Sequence, residues 1–525
     1  MAAARALARQ TARHARARTI SFALLFLLGA GVQGAAYRNA YPTLEDRLQL
    51  ARSFGDNRAV RLLYGVPHDL LTVGGYMSWR LGAFAIFAAL WGMLAAVRAL
   101  RAEEDAGRHE LVLSGAVSRA AVFGSALTGI AIGAAVVWLA LLVGILLGRA
   151  GAGSSVFLSL ALVSPLPVFV GVGALAGQVA PTRRVATGIA GGVLAVALLV
   201  RMVADTSSAG WLRWATPLGW AEELRPFAGA RPAVLLLPAL ATVALLVAAA
   251  RIAERRDIGQ GLLASHDSAA PRLALLSSPT TLALRTQRGG LLAWLIGVGV
   301  FAAIMGVVSD SVASGLSQSV QDLLAKLGTA ATTPSGYLGF IFQYLLLALC
   351  LFACFELAAM REDEVEQRLE TLFALPVSRP RWFAQRLALA AGAALALALA
   401  AGLLAWAGAV SQGADVAFGR MLEAGANCLP VVVLFLGLGG LAVALFPRAG
   451  TTIAYALVGV AFLWETVGGL IAAPAWARDL SPFHHVGLVP AEAFQAGGAA
   501  TMAVIGALAG LLGAWRFERR DLSGP

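Results

Sequence analysis

The chain has 525 residues, a formal net charge of +11 and a mean hydropathy of +0.77. Hydrophobic residues make up 59% and charged residues only 13%, against about a quarter charged in soluble globular chains, so a soluble monomer is excluded. Its apolar runs exceed the roughly 10 alternating residues of a barrel strand and suit helices that cross a hydrocarbon core of about 30 Å.

In chain order, the segment 1–18 carries Arg5, Arg9, Arg13, Arg16 and Arg18 with no acid, and reads as an amphipathic arm before an uncleaved first span. Spans are expected at 19–37, 76–98, 121–148, 155–180, 185–204 and 232–252, and again at 289–309, 339–360, 383–411, 425–446, 449–472 and 498–516. Pro181 and Pro447 mark the breaks between the adjoining pairs. The stretch from Leu44 to Arg52 has the pattern of a surface amphipathic helix. Ser265, Pro271 and Pro279 punctuate a linker, 253–288.

The positive charge is arginine dispersed among short loops, with Lys326 the sole lysine. It offers no nucleic-acid groove and instead sets orientation. The arm, 98–119, Arg183 and Arg184, 251–288, 361–386, Arg448 and 516–525 fall on one side, which places both termini in the cytoplasm. Cys350, Cys354 and Cys428 lie in apolar stretches without a CxxC pair and read as packing residues.

An internal repeat runs through the chain. Arg101–Arg119 aligns without gaps on Arg361–Arg379, 260 residues on, with seven of nineteen positions identical. Five of the seven are charged: Arg101/Arg361, Glu104/Glu364, Arg108/Arg368, Glu110/Glu370 and Arg119/Arg379. Glu254-Arg255-Arg256-Asp257 recurs as Glu518-Arg519-Arg520-Asp521, and Thr216-Pro217 as Ser481-Pro482. The expected fold is an all-α polytopic membrane protein of about twelve spans, built as two parallel six-helix repeats. The first is 1–252, the cytoplasmic linker 253–288 and the second 289–525. Six spans per copy, an even number, insert both copies the same way round, related by a pseudo-two-fold axis along the membrane normal.

The repeated 19-mers lie between the second and third span of each half. In the second copy Val365, Leu369, Leu372 and Phe373 form a helical stripe, so a short amphipathic helix ended by Pro376 is expected. A solvated loop helix would also fit, but it does not account for the recurrence of the same charges at the same spacing.

Glu104-x-x-Gly107-x-x-Glu110-Leu111 ending in Val117-Ser118-Arg119, and its copy from Glu364 to Arg379, resemble the segment after the second span of ABC-2 type transporter permeases. Over nearly the whole chain the resemblance is to the double-length actinobacterial permeases described as exporters of polyketide antibiotics such as tetronasin. Ala116 stands in place of the usual Pro, and Gln367 in place of Gly. The resemblance implies a type V exporter-like fold in which the 19-mers are coupling helices. Arg101, Glu104, Arg108, Glu110 and Arg119 in one, and Arg361, Glu364, Arg368, Glu370 and Arg379 in the other, would meet two copies of a separate ATPase that binds ATP and Mg. It also implies re-entrant helices at Pro217 and Pro482 and a substrate path lined by the second and fifth spans of each half. A P-loop needs GxxxxGK[ST], and Lys326, between Ala325 and Leu327, does not supply one, so the ATP site belongs to another chain.

On the second span Phe84, Phe87 and Trp91 share a face, as do Phe352 and Phe355 in the repeat, and an apolar path would suit hydrophobic or amphipathic drugs. Helix packing or lipid contact explains the same spacing. Glu356, Glu465 and Arg201 are ionisable residues at span ends, where they either act or reach the interface. No catalytic set and no metal site is expected; His484-His485 reads as a polar turn. Twelve spans also describe proton-coupled secondary transporters, and a membrane-embedded resistance or sensory protein is a further alternative. Export of lipid or cell-envelope precursors is another.

Overall fold

The computed structural model describes residues 2–55, 61, 64–115, 117–257, 261–263, 274–315, 333–470 and 474–522; Lys326 lies outside them. All regular structure among the described residues is helical. Among the described residues eleven helices are long and apolar enough to cross a membrane, and Gly450–Glu465 is a shorter apolar one. The protein is a polytopic helical membrane protein, and the chain divides into two compact units, Met1–Ala269 and Ala270–Pro525.

The first unit contains α1 (Ala2–Gly31), α2 (Leu44–Phe54), α3 (Phe84–Val97), α4 (Arg108–Leu113), α5 (Arg119–Leu147), α6 (Ala152–Val163), α7 (Pro165–Val179), α8 (Arg183–Thr206), α9 (Pro217–Glu223) and α10 (Leu236–Arg255). The second contains α11 (Pro279–Gly315), α12 (Pro334–Val365), α13 (Arg368–Phe373), α14 (Arg379–Val410), α15 (Phe418–Asn427), α16 (Leu429–Leu445), α17 (Gly450–Leu470) and α18 (Ala496–Glu518). Each unit uses one packing map. Its first span lies along its third (α1 on α5; α11 on α14), and its second lies on its fourth (α3 on α7; α12 on α16). The fourth span touches the fifth and sixth (α7 on α8 and α10; α16 on α17 and α18).

Small residues permit these approaches, since lipid supplies no hydrophobic drive between helices and association rests on close packing. A Cβ on Gly437 would sit 1.9 Å from the Gly506 carbonyl oxygen, and one on Gly306 2.1 Å from that of Ala405. Helix starts are capped by side chains. The repeated Val-Ser-Arg tripeptide places Ser118 at the N-cap of α5, where it accepts from Ala121 N, and Ser378 at that of α14, where it accepts from Arg381 N. Thr43 and Asp46 form a capping box on α2.

Three sequence expectations change. The basic arm and the first span are one continuous helix, α1, because no Gly or Pro interrupts 2–28. The span expected at 155–180 is two helices separated at Ser164, because Pro165 lacks an N–H and starts α7 at its N1 position. The stripe from Val365 to Phe373 is not one helix: α12 runs through to Val365, and Gln367 turns left-handed (φ 58°) before α13.

Candidate functional site

Two equivalent charged clusters stand where the second span of each unit ends. In the first, α3 passes through a π-helical turn, Arg98–Ala102, and then Glu103–Asp105. Gly107 takes φ 70°, open to glycine at no steric cost, and α4 follows. In the second, Gln367 occupies the corresponding left-handed position before α13.

Glu104 is 8% exposed and accepts a two-pronged grip from Arg256, with Nη1 donating to Oε1 at 2.7 Å and Nη2 to Oε2. Arg256 also donates Nε to Gln178 Oε1 at 2.7 Å. Arg101, 1% exposed, lies 3.4 Å from Glu104, places Nε 2.9 Å from Asp105 Oδ1, and donates Nη2 to the Pro181 carbonyl. In the second unit Arg520 grips Glu364 through Nη1 at 2.6 Å and Nη2 at 2.7 Å, and Arg361 adds a contact at 2.9 Å. Arg119 donates to the Arg256 carbonyl at 2.6 Å, and Arg379 to the Arg520 carbonyl at 3.3 Å. The two sequence repeats, the 19-mer and the Glu-Arg-Arg-Asp tail, are therefore each other's partners. Their similar offsets, 260 residues for the 19-mer and 264 for the tail, were the available signal; nothing in one dimension says that they meet.

The ten charges expected to face an ATPase thus divide. Arg101, Glu104 and Glu364 are buried and Arg361 is half-buried, all engaged within the chain. Their burial keeps them from forming a docking surface; they anchor the segment to the end of the last helix of their unit. Arg119 and Arg379 brace the same joint. Arg108, Glu110, Arg368 and Glu370 are exposed. Arg108 holds Glu103 at 2.6 Å, and Arg368 holds Asp363 at 3.0 Å, each across the left-handed break. Leu111 is 76% exposed on α4, and Leu375 just past α13 is 58% exposed.

The aromatic faces also divide. Trp91 and Phe352 are buried in their units, whereas Phe87 and Phe355 are exposed. Phe84 packs on Phe26 with ring centroids 4.9 Å apart, and Phe352 on Trp294 at 5.7 Å. The first span covers part of the face shared by Phe84, Phe87 and Trp91, where Phe26 meets Phe84. Trp91 does border a cavity of about 900 Å³ with α1, α5 and the start of α8.

At the opposite end of α8 lies a network not foreseen from sequence. Arg201, 2% exposed, sits 3.3 Å from Asp205 and 3.4 Å from Glu222. Arg213 reaches Asp205 at 2.7 Å, and Arg225 and Arg231 both reach Glu223 at 2.9 Å. Burial, with Asp205 as acidic neighbour, pushes the Glu222 carboxyl up to about 8. Reading Arg201 as a residue reaching the interface is corrected: it is enclosed and paired. The repeated hydroxyls have one task in both units, Thr216 donating to the Ala197 carbonyl at 3.1 Å and Ser481 to that of Ala461 at 3.4 Å. His484 lies 3.3 Å from Glu465, and His485 bonds the Asp479 carbonyl at 2.8 Å.

A family model described as "Multidrug efflux system permease Rv1217c, C-terminal domain" matches residues 11–252 and 276–518. The chain is 32% identical over 510 residues to the "Multidrug efflux system permease protein Rv1217c" of Mycobacterium tuberculosis (strain ATCC 25618 / H37Rv). That alignment covers 94% of this chain and 90% of the relative. With its multi-pass helical fold and these matches over nearly its full length, the chain belongs to the family of the multidrug efflux system permease Rv1217c.

Proposed function

We propose that this chain is the permease subunit of an ATP-driven drug exporter of the ABC-2 type, resembling the actinobacterial tetronasin exporters. It spans the bacterial plasma membrane with both termini cytoplasmic, as two tandem six-helix copies, 1–252 and 289–525, joined by the linker 253–288. Two copies of a separate ATPase, carrying ATP and Mg, dock on α4 and α13. Hydrophobic or amphipathic small molecules are the cargo.

The observation that carries this reading is the construction of the two ledges. Each is a short helix with exposed charge and an exposed leucine on or just beyond it, joined through a left-handed turn to a buried Arg–Glu–Arg clamp. A ledge anchored at its root moves with the second and sixth spans instead of bending, so a push on it reaches the membrane helices. The relative's name, multidrug efflux permease, supplies the cargo class.

Cys350, Cys354 and Cys428 are buried, so an added surface cysteine would be the reactive one. Glu110→Cys and Glu370→Cys are expected to crosslink to a co-expressed nucleotide-binding chain. Inside-out vesicles holding both chains are expected to take up a hydrophobic dye with ATP, and vanadate to stop it. Uptake that follows a proton gradient without ATP would make the protein a secondary transporter instead.

A further inference from the structure

The 900 Å³ cavity of the first unit has the size of a drug site and two chemically distinct ends. Phe22, Trp91, Leu94 and Ile130 give it an apolar wall. The charged residues that border it are Arg18, Arg98, Arg108, Arg183 and Glu103, four positive and one negative. Arg108 and Glu103 neutralise each other as a pair, which leaves three guanidiniums. Two imidazoles, His14 and His109, also line it, and burial holds that of His109 below its ordinary range.

The three remaining arginines differ from their neighbours. Arg101, Arg108 and Arg256 are paired with acids, whereas Arg18, Arg98 and Arg183 make no side-chain ion pair among the described residues. Nη1 of Arg98 is buried and has no hydrogen-bond partner there. Arg98 begins the π-helical turn, a local widening found often at functional sites. Arg18 and Arg183 lie close enough to repel. Arg18 and Arg183 are exposed, whereas Arg98 is half-buried; its buried, unpartnered Nη1 is costly, and a carboxylate, sulfonate or phosphate would offset that cost through charge-assisted hydrogen bonds.

We infer that this cavity binds the head of an amphipathic anion, with Arg98 as its principal partner and the wall around Trp91 taking the apolar tail. For transport the inference rests on the export reading above, and it names the cargo class; for binding it stands alone. The same chemistry fits an acidic drug or an anionic lipid headgroup, since the arginine-rich ends of the spans are where such lipids gather.

The test uses the full-length chain in phosphatidylcholine nanodiscs, titrated with 11-(dansylamino)undecanoic acid and with its methyl ester. The acid is expected to bind more tightly than the ester. Arg98→Gln is expected to weaken the acid about tenfold, with the ester unchanged. Arg98→Lys, which keeps the charge, is expected to retain most of the acid's affinity, which separates recognition from misfolding. Equal binding of acid and ester, or an Arg98→Gln chain that binds the acid as the unaltered chain does, would overturn the inference. Repeating the titration with phosphatidylglycerol in the nanodisc identifies the source. Displacement of the acid assigns the site to a lipid headgroup, and its persistence assigns it to a soluble amphiphile; both retain the anion site. Binding without ATP-driven uptake in vesicles would sink the export reading alone.

Discussion

The two units differ near the end of the second span, a few residues from a feature they share. Both carry the Arg–Glu–Arg clamp at Glu104 and Glu364, each gripped by an arginine just past the last helix of its unit. One turn earlier they diverge. Arg98 in the first unit corresponds to Ala358 in the second, and the second unit buries Glu356 instead, at 3% exposure, on the same helix as Asp363, the acid that Arg386 reaches at 3.4 Å. The frame was kept in both copies while the interior charge was altered in each. A clamp holds only as a whole, so its partners vary together or not at all; a cavity-lining charge has no such constraint.

The largest effect should come from removing a clamp carboxylate. Glu364→Ala takes away the two-pronged acceptor of the buried Arg520 and an acid partner of Arg361, at a cost of about 3–5 kcal/mol for a broken buried pair. Glu104→Ala should cost less, because Arg101 keeps Asp105 and Arg256 keeps Gln178. Thermal unfolding in detergent, followed by size-exclusion fluorescence, would rank the two, and equal losses would contradict the difference in backup partners.

The Arg201–Asp205–Glu222 network of the first unit gives a pH dependence. The Glu222 carboxyl is raised in the folded chain from 4.5 to about 8, so between those values the native state holds a proton that the unfolded chain has released. Stability should therefore fall as pH rises through that window, and level off above it. Unfolding midpoints measured from pH 5 to 9 are expected to decline for the unaltered chain and to stay flatter for Glu222→Gln. A parallel decline in both would remove Glu222 as the cause.

The left-handed turns predict opposite signs. Gly107→Ala should destabilise by about 1 kcal/mol through backbone strain alone, since a Cβ there meets nothing within 4 Å. Gln367→Gly should stabilise by a similar amount, about 1 kcal/mol. Equilibrium unfolding of the pair tests whether the second unit carries strain that the first avoids.

The smallest stability change belongs to the ledges. Glu110→Ala and Glu370→Ala are expected to shift stability by less than about 0.5 kcal/mol, as exposed substitutions do. Both should nevertheless lower ATP-dependent uptake in vesicles. If uptake is unchanged in the double variant, the ledges are not where the motor docks.

Much of the fold was legible because lipid makes it so. An apolar run near twenty residues has few options other than a helix, which is why the spans from 121 and 383 appear as α5 and α14. Breaks set by one residue's backbone were harder: Ser164-Pro165 divides a span, and Gln367 interrupts an amphipathic stripe whose spacing looked continuous. Of the functional residues, the repeat singled out Glu104 and Glu364, but exposure decides whether a repeated charge meets a partner or anchors a joint, and spacing carries no burial. The Arg201–Asp205–Arg213 network was invisible because its members come from the end of a span and the loop after it, where balanced charge reads as solvated.

The sequence by itself determined that this is a polytopic helical protein with a duplicated charged motif, because hydropathy and repetition are one-dimensional properties. Only the tertiary structure decided which repeated charges are buried, that Arg256 and Arg520 are their partners more than 150 residues away, and that Arg98 borders a cavity without an ion-pair partner among the described residues. Burial and pairing depend on the distance between segments remote in the chain, and that distance is set by helix packing.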